Sequence, residues 1–294
     1  MGVETTELQL DLATVGCTVR AQETGSGPPV VFIHGGATAG ASWAMLVSRL
    51  PDFRCIVIDR PGMGLSELPP QAERDVDHYK AQADALLPDI VDALGESRVS
   101  VAATSLGGFV ALRGAAAAPE KVERLIEFSY PVGAPMERVP LVFRMASMPG
   151  AERISAAMPA NRAVVRMALS SAGLKSAIKT GKFTDEAIDW MVSFMNDTPS
   201  MQHEMATTPQ VFSPIAGLNS ALIFSTELLA RLTMPIHFFW GADDPNGGET
   251  TARLLLDQLP NATLEMVPGA GHAPWLDDLE RAEASTRRFL KGQR

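Results

Sequence analysis

Short apolar runs alternate with stretches of helical spacing along two parts of this 294-residue chain, and this alternation narrows the possible folds more than any other feature. The runs fall at Val30–Ile33, Cys55–Ile58 and Val99–Ala103, and further strands are expected at Val122–Phe128, Ile236–Trp240 and Thr263–Val267. Helical spacing separates them at Ser42–Leu50, after Leu106, at Tyr79–Leu94, Thr250–Leu259 and Leu279–Leu290. Pro88 predicts a kink in its helix, because it has no N–H to donate. Two further short strands are expected at Leu8–Leu12 and Cys17–Gln22, followed by a turn at Gly25–Pro29. Strands apolar on both faces and joined by helices form a mostly parallel sheet with helices packed on both sides.

Between Tyr130 and about Thr233 the rhythm changes. Helical patterns there are interrupted by Pro149, Pro159, Pro199, Pro209 and Pro214, and no convincing strand is present. The expected architecture is an α/β core of residues 1–132 and 233–294. Residues 133–232 form a helical cap inserted after the sixth strand.

Composition excludes several functions. The formal net charge is −9 and no block of Lys or Arg occurs, so neither nucleic acid nor an acidic membrane surface is an expected partner. No apolar run reaches the ~18 residues that span a bilayer. The opening residues lack the basic and apolar parts of a signal peptide. Gly2 and Thr6 fit the loose N-myristoylation pattern, which chance readily supplies. Cys17 and Cys55 fall in expected strands and read as small buried hydrophobes, in keeping with a reducing cytoplasm. No H-E-x-x-H, paired C-x-x-C or Walker sequence occurs, so the sequence implies no metal and no nucleotide cofactor. The oligomeric state is not legible.

One serine stands out. Ser105 lies between the strand Val99–Ala103 and the helix after Leu106, and Ala103, Gly107 and Gly108 surround it. Ligands of open α/β sheets bind where strands lead into helices. A serine on a tight turn there projects its hydroxyl outward, with helix N–H groups directed at the same place. The plain alternative is a helix N-cap. A serine nucleophile needs a base, and the base needs a third group to orient it. Of the five histidines, His78 starts a helix, His203 lies in the inserted segment, His237 sits inside a strand and His34 follows the first buried strand. His272 lies in "PGAGHAPWLDD", directly after the last strand. Asp243 and Asp244 lie in the loop "FFWGADDPN" after the preceding strand, and Glu127 is a third candidate acid.

Ala103-Thr104-Ser105-Leu106-Gly107 resembles the nucleophile elbow G-x-S-x-G of the α/β-hydrolases, with alanine for the first glycine. The loop "GAGHAPWL" is similar to that family's histidine loop, "VVFIHGGATAG" to its oxyanion segment, and "IDRPGMGLS" to its D-x-x-G-x-G-x-S loop. The resemblance spans about Val30 to Leu290. It implies an eight-stranded, doubly wound, mostly parallel sheet with a helical cap. It also implies Ser105 as nucleophile, His272 as general base and acid, and Asp244, three residues after Gly241, as the orienting acid. Gly36 and Leu106 would supply the oxyanion-hole N–H groups, and His34 would pack the loop. Serine at the elbow disfavours the dehalogenase and epoxide-hydrolase branches, which carry aspartate there. The expected activity is hydrolysis of carboxylic esters or lactones of small to medium apolar substrates. A carbon–carbon hydrolase of ring-fission diketones and a slow or non-catalytic receptor are the alternatives. The first of these is disfavoured because Ala273, not tryptophan, follows His272. Methionines of the insertion (Met136, Met145, Met148, Met158, Met167, Met191, Met195, Met201 and Met205) are expected mostly to pack helices, a few lining an apolar pocket. Arg144, Arg153, Arg162 and Arg166 are candidates for a substrate carboxylate or ordinary solvated charges.

Overall fold

In a computed structural model, which describes residues 4–72, 74–136, 139–151 and 159–293, the chain forms an eight-stranded sheet. Gly2, Arg153 and Met158 lie outside the described residues. The strands are β1 (Thr6–Leu12), β2 (Cys17–Thr24), β3 (Pro29–Ile33), β4 (Arg54–Ile58), β5 (Val99–Thr104), β6 (Val122–Phe128), β9 (Ile236–Gly241) and β10 (Ala262–Val267). Two short strands, β7 (Phe212–Ser213) and β8 (Gly217–Leu218), pair in a separate hairpin. The sheet order is β1-β2-β4-β3-β5-β6-β9-β10. Within this sheet, among the described residues, only the β1–β2 and β2–β4 pairs are antiparallel. From β4 onward every pair is parallel, so the loops after β3, β5, β6, β9 and β10 open on one edge.

The apolar runs are explained by burial on both faces. Val31, Val101, Ala103 and Leu125 belong to a core on one side of the sheet. Their neighbours Val30, Phe32, Ala102 and Ile126 belong to the core on the other. Successive strand residues point to opposite faces, so both sets must be apolar.

Some local expectations shift. The helix expected over Ser42–Leu50 is a 3₁₀ turn, Gly40–Trp43, followed by a short helix, Ala44–Val47. Pro88 lies inside the helix Val76–Ala93. The inserted segment is mainly helical, with Arg162–Leu169, Asp185–Asp197 and Ser200–Val211 its longest helices, but it also contains the β7–β8 hairpin. Pro209 does not break Ser200–Val211; it sits two residues before the end, where the helix is about to stop anyway. Among the described residues no helix is long and apolar enough to cross a membrane. Cys17 and Cys55 are buried and unpaired, and burial raises both thiols, to about 11 and about 12.

Candidate active site

Ser105 follows β5 directly and caps the helix Leu106–Ala117. Its backbone has φ 57° and ψ −119°, a conformation that costs a non-glycine residue about 1–3 kcal/mol. Close packing enforces it. A Cβ on Gly107 would lie 2.4 Å from the carbonyl oxygens of both Ile33 and His34, so only glycine lets the helix approach β3. A Cβ on Gly35 would lie 3.1 Å from the Ser105 Cβ. The Ser105 carbonyl accepts from the N–H of Val132 at 3.0 Å, tying the elbow to the loop after β6. The serine hydroxyl is engaged in no hydrogen bond with any described residue, His272 included. Catalytic hydrogen bonds are often long without substrate and tighten in the complex.

Asp244 and His272 meet at the ends of β9 and β10. Nδ1 of His272 lies 2.7 Å from Oδ2 of Asp244, whose side chain is fully buried. The same oxygen accepts from the N–H of Tyr130 at 3.1 Å, and Oδ1 accepts from the N–H of Asn246 at 2.9 Å. The Asn246 amide also lies 3.1 Å from Nδ1 of His272. Nδ1 carries a single hydrogen and gives it to the carboxylate; the Asn246 atom beside it is the amide nitrogen Nδ2. The amide oxygen of Asn246 is buried and has no hydrogen-bond partner.

The histidine loop is held at several points. The N–H of His272 donates to the Gly173 carbonyl at 3.0 Å, and the N–H of Gly271 donates to Asp277 at 2.9 Å. Trp275 stacks on Trp43 with centroids 4.5 Å apart, and its indole N–H donates to the Ser42 carbonyl. Such a pair adds roughly 0.5–1.5 kcal/mol beyond its buried area.

Gly36 follows β3, and Leu106 opens the elbow helix. A Cβ on Gly36 would lie 3.9 Å from Leu106 Cδ2, so the two are neighbours. His34, fully buried, accepts the N–H of Arg60 on Nε2 at 2.9 Å, which leaves Nδ1 to donate to the Gly35 carbonyl at 2.7 Å. Burial, aided by the Arg60 charge, pushes His34 well below the ordinary histidine value. It is a neutral brace for the Gly35–Gly36 turn. Arg60 completes that brace by donating to the carbonyls of His34 and Gly35.

Residues 30–284 match the model of the Alpha/beta hydrolase family. The chain belongs to that family. This α/β hydrolase is 28% identical over 278 residues to an uncharacterised protein of Mycobacterium tuberculosis, covering 90% of this chain and 76% of the relative. It is 27% identical over 265 residues to the pimeloyl-[acyl-carrier protein] methyl ester esterase of Nitrosomonas europaea, covering 88% and 94%. Among solved structures, the 2-hydroxy-6-oxo-6-phenylhexa-2,4-dienoate hydrolase of Rhodococcus sp. strain RHA1 superposes with a TM-score of 0.81 at 22% identity, covering 98% of this chain and 99% of that one. At that identity the likeness speaks for the fold.

The remaining candidates of this α/β hydrolase lie elsewhere. Asp243 is exposed. Glu127 is fully buried within β6 and makes no hydrogen bond with His272. His78 touches the Pro70 carbonyl and His203 the Gly62 carbonyl, while His237 lies between Thr263 and Ser285. Arg162 pairs with Asp189 and Arg166 with Asp185. Arg144 lines a surface cavity beside Met136, Val139 and Leu218. Met145, Met148 and Met167 are exposed, whereas Met191 is buried among Ala39, Met63, Val165, Ile188 and Phe194.

Sequence reasoning missed two side chains. Asn246 was legible only as the last residue of the loop "FFWGADDPN". Glu204, on the helix Ser200–Val211, puts Oε1 2.6 Å from the place a Gly36 Cβ would take, and its Oε2 lies 3.4 Å from Arg60. No local pattern announces a contact between residues 144 apart in sequence.

Proposed function

We propose that this chain is a serine hydrolase that cleaves carboxylic esters, lactones included, of small to medium apolar substrates through an acyl-enzyme. The observation that carries this reading is the 2.7 Å contact between Asp244 and His272, on the sheet edge where the strained Ser105 elbow also opens. Ester chemistry is supported by the Nitrosomonas relative, an esterase by name.

In the mechanism, His272 takes the hydroxyl proton through Nε2 while Nδ1–H stays on Asp244, which fixes the tautomer and stabilises the imidazolium. Ser105 attacks the ester carbonyl. The developing oxyanion accepts from the N–H groups of Gly36 and Leu106, each donor contributing roughly 10²–10³ in rate. His272 returns its proton to the leaving alcohol, then activates water to release the acid.

Residues 133–232 serve as the cap. Its support is the set of contacts they make with the loops at the strand ends. Gly173 accepts from His272, Ser200 Oγ accepts from the N–H of Gly64 at 2.9 Å, and Glu204 pairs with Arg60. The test is a panel of p-nitrophenyl esters of graded acyl length, with lactones and ring-fission diketones beside them. Turnover of esters or lactones with formation of an acyl-enzyme supports the reading. Turnover of diketones alone makes the chain a carbon–carbon hydrolase. No turnover and no fluorophosphonate labelling makes it a binding protein.

A further inference from the structure

Glu127 has no part in the mechanism above, yet it sits directly behind it. It lies on β6, opposite Ala103 of β5 and Phe238 of β9 in register. It is 0% exposed, and neither carboxyl oxygen has a hydrogen-bond partner. A Cβ on Gly108 would lie 2.2 Å from Oε1 and 2.6 Å from Oε2. Gly108 is in the first turn of the elbow helix, so the carboxyl occupies the space that this missing side chain leaves. A buried polar group without partners calls for an explanation.

We propose that Glu127 is held as an uncharged carboxylic acid beneath the elbow, where it positions Ser105 and leaves the field of the elbow helix to the reacting carbonyl. The proposal rests on Ser105 being the nucleophile. The surroundings favour the neutral form. β5 presents Ala103, β9 presents Phe238 and the elbow helix presents Gly108, and no charged side chain among the described residues acts on Glu127. Asp244 and His272 are engaged with each other, and the Tyr130 hydroxyl donates to the Ala134 carbonyl. The backbone N–H of Ser105 is directed at the carboxyl but falls outside hydrogen-bonding geometry. Burial therefore dominates and pushes Glu127 well above the ordinary carboxylate range, with the Ser105 amide opposing only in part.

The neutral form matters because of where the helix points. The N-terminus of the elbow helix favours negative charge, and the mechanism uses that preference for the oxyanion through the Leu106 N–H. A carboxylate behind the same turn would draw on the same dipole and lower the potential where the oxyanion forms. An acid that stays protonated fills the space without competing. Alanine at 103 and glycine at 108 thus make room for a polar side chain as well as a tight turn.

Infrared spectroscopy of the intact protein tests this. At about pH 8 in D₂O the wild type should show a carboxylic-acid C=O band that moves on ¹³C-labelling of glutamate and is lost in Glu127→Gln. The isotope identifies the band as that of a glutamic acid even if the variant does not fold. Covalent labelling with a neutral fluorophosphonate places an oxyanion mimic at the elbow, and the Glu127 band should then shift in frequency. An acid remote from the elbow would not respond. Absence of the band, or labelled protein with an unshifted band, overturns the proposal while Ser105 stands as nucleophile. Failure of the phosphonate to label Ser105 overturns the nucleophile reading, and the positioning role falls with it.

Discussion

Gly173 of the inserted segment and His272 of the core are joined by a backbone hydrogen bond of 3.0 Å, and the glycine has φ +101°. A Cβ at Gly173 would lie 2.6 Å from the His272 Cβ and 2.8 Å from Pro245 Cδ. The position therefore requires glycine both for its backbone and for the space. Gly173→Ala should displace the histidine and lower kcat/KM by roughly 10²-fold, the usual effect of a misplacement of about 1 Å. Circular dichroism should show the fold retained. An alanine variant with wild-type kcat/KM would mean that the inserted segment does not help to set the histidine.

Asp244→Asn should reduce turnover by about 10⁴, because the amide no longer fixes the imidazole tautomer. Asp243→Asn should change it by less than about threefold, since that side chain is exposed and away from the ring. Steady-state kinetics of the two variants, with Glu127→Gln beside them, decides the assignment. If Asp243→Asn is the crippling change, the orienting acid has been misidentified.

The central strands were legible because burial on both faces writes itself into the chain as an apolar run, as at Val30–Ile33 and Cys55–Ile58. The elbow was legible for a related reason. Gly107 must be glycine where a Cβ would meet two carbonyl oxygens, so the chemistry leaves a mark within five residues. Contacts distant in sequence leave no such mark. Glu204 reaches Gly36, and Asn246 reaches His272, only through the fold. The β7–β8 hairpin was missed because its strands are two residues each, too short to show a period.

His237 should make stability depend on pH. Burial, first among the causes, lowers it to about 4, with Glu265 opposing and Arg288 assisting. The unfolded chain takes up this proton near pH 6.5 while the folded protein resists it, so the contribution is present above pH 6.5 and is lost as pH falls toward about 4. A shift of that size corresponds to roughly 3 kcal/mol. Urea unfolding at about pH 7 and pH 4.5 should show the wild type losing more stability than His237→Gln. Equal losses in the two proteins would contradict the assignment.

If residues 133–232 enclose an apolar pocket over Ser105, acyl length should matter. Each buried methylene contributes ~0.8 kcal/mol, so kcat/KM should rise up to a few-fold per carbon and then fall once the pocket is full. Met195, packed against the cluster of Ile188, Met191 and Phe194, is a suitable probe. Met195→Ala should move the optimum without changing the rate at which a small phosphonate labels Ser105. A flat length profile would argue for an open groove.

The most direct test of the whole account is the kcat/KM of Ser105→Ala on the best p-nitrophenyl ester of the panel, measured on protein shown to be folded. The account predicts a loss of roughly 10⁴–10⁶-fold, leaving little beyond the background reaction. A folded Ser105→Ala protein that hydrolyses the ester at a rate near the wild type would contradict it.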